Sequence, residues 1–85
     1  MIGHPKYTYG DVVKFKCDEE TLSGVIAIID PYGTFQDNSD VSYDIFVKSE
    51  NTLYKHFSER YVIEKIGHIS EDKIWEVNDD TDEYN

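Results

Sequence analysis

One cysteine, three histidines and eighteen carboxylates are the side chains of this sequence suited to covalent, acid–base or metal chemistry. Nucleophilic catalysis by Cys17 would need a histidine at its side to draw off the thiol proton. Cys17 ends the alternating series Val13, Phe15, Cys17, with Lys14 and Lys16 on the other face, so it reads as a small inward-facing packing residue. His4, His56 and His68 are widely separated, and neither Cys-x-x-Cys nor His-x-x-x-His occurs, so no zinc cage is expected. Asp37, Asn38 and Asp40 are oxygen donors in one loop, but Lys48 stands where an EF-hand places its closing glutamate. Carboxylates such as Asp11 and Glu64 have the chemistry for proton transfer only if the fold brings them into one cleft. There is no glycine-rich phosphate loop. The residues therefore predict no catalytic site and no cofactor, and Lys55, His56 and Glu59 form the one compact mixed-charge cluster on the body.

The elements that would position these groups read as strands. Val, Ile, Tyr, Phe and Thr recur from Tyr7 to Ile66, while helix formers are sparse. Val12 to Cys17 is a first strand, and Asp18-Glu19-Glu20-Thr21 a solvated turn. Leu22 to Ile29 is then a central strand with apolar residues on both faces. Gly24 inside it predicts a bulge or sharp bend. Asp30-Pro31-Tyr32-Gly33 ends the strand in a turn. Val41 to Val47 places Val41, Tyr43, Ile45 and Val47 on one face. The Ser49-Glu50-Asn51 turn leads into Thr52 to Phe57, with Leu53 and Phe57 expected on one side. Ser58-Glu59-Arg60 suits a single 3₁₀ turn before a fifth strand at Tyr61 to Glu64. There is no internal repeat.

Eighty-five residues make one domain with a small core, to which seven tyrosines and four phenylalanines contribute most of the apolar area. The formal charge of −10 argues against direct nucleic-acid binding, which depends on Lys and Arg. Residues 1–70 carry 11 acids and 7 bases, and residues 71–85 carry 7 acids and 1 base. The expected layout is thus a β-barrel over 1–70 and an acidic tail over 71–85, with a short helix or strand near 71–77 and little order beyond Val77. Ile74, Trp75 and Val77 are expected to dock on the barrel or to anchor a homodimer through the C-terminal segment, since Trp75 is too large to leave bare. No apolar run approaches the length of a membrane span, and the unpaired cysteine points to the cytoplasm.

Tyr7, Gly10, Asp11, Val13 and Phe15, then Gly24, the Ser49 to Thr52 turn, Ser58 to Arg60 and Val62, follow one another as in a small five-stranded SH3-like antiparallel barrel. Over residues 7–66 the sequence resembles barrels of the KOW and Tudor type. Gly33-Thr34-Phe35, Ser42-Tyr43-Asp44-Ile45 and Leu53-Tyr54-Lys55-His56 are also similar to stretches of uncharacterised short proteins from Gram-positive bacteria and their phages. The Tudor likeness implies an aromatic cage, for which Tyr32, Phe35, Tyr43 and Tyr54 are the candidates, and the KOW likeness implies RNA or ribosome contact. Taken together, the readings predict a non-enzymatic, all-β module that binds a protein partner. Tyr32, Phe35, Tyr43, Tyr54, His56 and Trp75 are its candidate contact residues. The alternative is an acidic inhibitor that imitates nucleic acid before a basic enzyme cleft.

Overall fold

Alternation of apolar and polar residues is converted into five antiparallel strands in the computed structural model, which describes residues 4–31 and 40–76. They are β1 (Asp11–Cys17), β2 (Glu20–Asp30), β3 (Ser42–Val47), β4 (Thr52–Ser58) and β5 (Val62–His68). Single 3₁₀ turns occupy Lys48–Glu50, Glu59–Tyr61 and Glu71–Lys73. The strands form one sheet in the order β4-β3-β2-β1-β5. The fold is therefore all-β as expected, but the sheet is not closed by hydrogen bonds: β4 and β5 are its two edges. Phe15 of β1 nevertheless lies 5.1 Å, centroid to centroid, from Phe57 of β4, so the sheet coils until its near and far strands share one interior.

That interior holds Val13, Phe15, Ile26, Tyr43, Ile45, Val47 and Val62, with Tyr54 and Phe57 packed against it. A second core lies on the opposite face, where Val12, Val25, Ala27 and Phe46 are covered by Ile69 and Ile74 of the C-terminal segment. Val12 and Val13 of β1 and Val25 and Ile26 of β2 are thus buried on opposite faces of the sheet, which accounts for the two-sided apolar run from Val25 to Ala27. The Lys48 amine donates to the Lys73 carbonyl at 2.7 Å and ties the segment to the β3–β4 connection. Ile74 docks as anticipated, directly after the one-turn 3₁₀ helix Glu71–Lys73. Val77 and residues 78–85 lie outside the described residues.

Two expectations are corrected by the pairing register. The irregularity in β2 falls at Ala27, between the Ile26–Ile45 and Ile28–Asp44 pairs, and not at Gly24. Gly24 instead marks a close approach, because a Cβ there would stand 2.6 Å from Ile45 Cγ2 and 2.9 Å from the Phe46 carbonyl oxygen. In β4, Lys55 and His56 together oppose Asp44, and His56 takes a left-handed φ of 66° while its N–H donates to Asp44 Oδ1 at 3.0 Å. This bulge reverses the alternation. Leu53 therefore packs on the second core while Tyr54 and Phe57 face the first, so Leu53 and Phe57 do not share a side.

The chain enters the sheet through Gly10, at φ 89°, whose N–H donates to the Ile26 carbonyl at 3.0 Å and whose carbonyl accepts from the Ile69 N–H at 2.8 Å. A Cβ at Gly10 would lie 2.3 Å from the Ile69 carbonyl oxygen, so both its φ and its neighbours require glycine. Asp11 follows with its side chain buried, accepting from the Thr8 N–H at 3.0 Å and lying 2.8 Å from His68 Nδ1 and 3.3 Å from Lys65 Nζ. Burial pushes its carboxyl up, but the Thr8 hydrogen bond together with His68 and Lys65 outweighs burial and holds its pKa below the ordinary 3.8. Glu64 is engaged by a different base, its carboxylate lying 3.7 Å from Lys14 Nζ.

Candidate partner-binding surface

The tight β1–β2 turn starts from the Cys17–Glu20 pair, with Asp18 in the left-handed region at φ 56°, a conformation that aspartate tolerates better than most residues. Beside it the β3–β4 connection also turns through a left-handed residue, Asn51 at φ 52°. Between these two ends lies an open depression of about 900 Å³ lined by Cys17, Asp18, Glu19, Glu20, Leu22 and Tyr54. Leu22 and the Tyr54 ring supply its apolar part. The Tyr54 hydroxyl donates to Glu50 Oε1 at 2.5 Å, and that hydrogen bond, with lesser help from burial, pushes the phenol pKa up to about 12. Burial followed by the charges of Asp18, Glu20 and Glu50 raises the Cys17 thiol, so the field in the depression is negative. A thiol kept protonated is a poor nucleophile, which suits Cys17 to packing.

Among the described residues, the candidate contact residues Tyr43, Tyr54, His56 and Trp75 do not converge. Tyr43 is wholly buried and is withdrawn from any surface: its ring stands edge-on to Tyr7 at 5.9 Å and its hydroxyl donates to Glu59 Oε2. The backbone N–H of Lys6 donates to that same oxygen at 2.9 Å, which binds the N-terminal segment across this edge of the core. Burial first, and then the Glu59 carboxylate, hold the Tyr43 phenol far above its ordinary pKa. Tyr54 packs at 5.7 Å from Phe15 and 6.1 Å from Phe57, both inner-face rings, and does not stand free as one wall of a cage. Tyr32 and Phe35 lie outside the described residues. His56 is exposed on the β4 bulge, and Glu59 is turned towards Tyr43, so the Lys55-His56-Glu59 cluster is not assembled. Trp75 is on the other face, 52% exposed and tilted over Phe46 at 5.2 Å.

Sequence reading missed Leu22 and Cys17 as lining of a depression and Glu50 as the partner of its Tyr54 hydroxyl, although the acidic run beside them was legible as a solvated turn. Among the described residues no group of three or more His, Cys, Asp or Glu side chains is placed to hold a metal ion. Nor is any helix there long and apolar enough to cross a membrane. No protein-family model, curated protein or solved structure matches the chain.

Proposed function

We propose that the chain is a non-enzymatic binding module, a small SH3-like barrel that takes a lysine- or arginine-bearing segment of a partner protein against the depression beside Tyr54. The strand order, the one-turn link before β5 and the coiling that sets Phe15 on Phe57 support the barrel reading. One observation carries the functional one. Asp18, Glu19, Glu20 and Glu50 surround an apolar floor, and among the described residues no ion pair engages any of them. Long basic side chains suit such a place because their methylene stems cover Leu22 and Tyr54 while their heads meet the carboxylates. Titration with a Lys/Arg-rich peptide, followed by backbone amide shifts, should perturb residues 17–22 and 50–54. Converting Asp18, Glu19, Glu20 and Glu50 to their amides should weaken binding at least about tenfold, ~1.4 kcal/mol. Equal affinity for a neutral peptide of the same length would overturn the reading.

A second reading rests on the same four carboxylates: an acidic inhibitor that imitates nucleic acid in the basic cleft of a nuclease or polymerase. It requires the chain to inhibit such an enzyme and double-stranded DNA to relieve the inhibition. A basic peptide that binds while enzyme activity is untouched separates the two.

A further inference from the structure

The 3₁₀ turn Lys48–Glu50 is engaged from both faces of the sheet. On one face the buried Lys48 side chain carries its amine to the Lys73 carbonyl, 2.7 Å away, at the end of the turn Glu71–Lys73. On the other face, two residues later, Glu50 Oε1 accepts the Tyr54 hydroxyl at 2.5 Å. The first contact belongs to the C-terminal segment and the second to the rim of the acidic depression.

The turn between these contacts is closed on itself. The Asn51 N–H donates to the Lys48 carbonyl at 3.1 Å, with Asn51 in the left-handed region, and the Thr52 hydroxyl donates to the Glu50 carbonyl at 2.9 Å. A displacement of Lys48 is therefore carried to Glu50 and not absorbed between them.

The C-terminal segment supplies the two states that such a link requires. Its anchors are few: Ile69 and Ile74 on the second core, and the Lys48 amine. Opposing them is the ordering of residues 70–76, of which every one except Ile74 is exposed. A segment held by so few buried contacts opens locally before the sheet does.

We infer that this segment is a strap that regulates the acidic depression: docked, it holds Lys48 and so fixes Glu50 on Tyr54; released, it frees the turn and weakens the grip on a basic segment. Fixing Glu50 adds a pre-placed carboxylate to Asp18, Glu19 and Glu20, which is why the docked state binds better. The inference rests on the reading of the depression as a site for Lys or Arg side chains. By linkage, a basic ligand in the depression tightens the strap by the same factor.

The full chain carries its own reporter, since Trp75 is its only tryptophan and lies tilted over Phe46 at 5.2 Å in the docked strap. Two variants release the strap from different anchors. Lys48→Met keeps the buried stem and removes the amine, whereas Ile74→Ser removes the apolar anchor without changing charge. Each should shift Trp75 emission to the red, raise its quenching by acrylamide and weaken a Lys/Arg-rich peptide at least about fivefold. For Lys48→Met the direction is decisive, because loss of a positive charge would by electrostatics alone make a basic peptide bind more tightly. A second readout needs no ligand: the Tyr54 ring-carbon titration should fall in Ile74→Ser from about 12 towards 10. Should either variant fail to fold, the wild type serves, since saturating peptide should protect the Ile74 and Trp75 amides from exchange. A released strap with peptide affinity and Tyr54 titration both unmoved would overturn the inference, as would a wild-type Trp75 as quenchable as in the denatured chain. A wild type that ignores basic peptides while Tyr54 answers to strap release would support the coupling and overturn only the choice of ligand.

Discussion

The β1–β2 end and the β5 edge are built from the same two kinds of residue, carboxylates and exposed apolar groups, yet they differ in how charge is balanced. At the β1–β2 end Asp18, Glu19 and Glu20 lie beside Leu22 and Tyr54, with Glu50 on the Tyr54 hydroxyl, and among the described residues no ion pair engages any of the four. Along β5 each acid has a base within ion-pair distance, and isoleucines fill the intervals. Charge left over at one end selects an oppositely charged partner, whereas charge balanced within the chain leaves no such preference.

Phe15 is the shared support of both regions, since it packs against Tyr54 on one side and is paired with Val62 on the other. Phe15→Ala should therefore collapse the contrast, at a cost of about 3–5 kcal/mol in a denaturant melt. If peptide binding survived that substitution, the depression would be a local feature independent of the inner core.

A smaller effect is expected at Asp11, which steadies only the β5 side. Asp11→Asn keeps the shape but removes the charge that Lys65 and His68 face, and should cost about 1–3 kcal/mol while leaving the acidic depression intact. Because the folded-state pKa of Asp11 is below its ordinary value, its contribution is complete at neutral pH and is lost as the pH falls through that lowered value. The variant should accordingly lose less stability than the wild type when melts at pH 6 are compared with melts near pH 2. Equal losses in the two proteins would mean that the carboxylate is not held by these partners.

The smallest effect sharpens the acidic side alone. Glu50→Gln should bring the Tyr54 phenol down from about 12 towards 10, read by ultraviolet titration, with little change in global stability. An unmoved titration would show that the negative field at Tyr54 has another source.

Side-chain alternation made β1 and β3 legible, because Val13-Phe15 and Tyr43-Ile45-Val47 keep one parity throughout, and it missed the irregularity at Ala27 in β2. It failed at β4 and β5, where Lys55-His56, Ile63 and Ile66 are extra residues in their ladders. Nothing in a single sequence marks which residue will be left unpaired, since the choice is made by the neighbouring strand. Asp44 illustrates this: it receives the His56 N–H, and the irregularities of β2 and β4 both fall beside it. Tyr43 and Tyr54 looked alike as loop-side aromatics, but Tyr54 pairs with Ile45, which shares a face with Tyr43, so both rings turn onto one core. The depression was not legible because its lining comes from two separate stretches, residues 17–22 and Tyr54, that meet only once the sheet has coiled.

The hydrogen bond between Gly10 and Ile69 places the point where the chain joins the sheet beside the point where it leaves. A polypeptide whose doorway and exit share a wall can be spliced into a surface loop of a host protein without stretching either. The sheet thus has the geometry of an insertable cassette, with its two ends held together at Gly10 and Ile69.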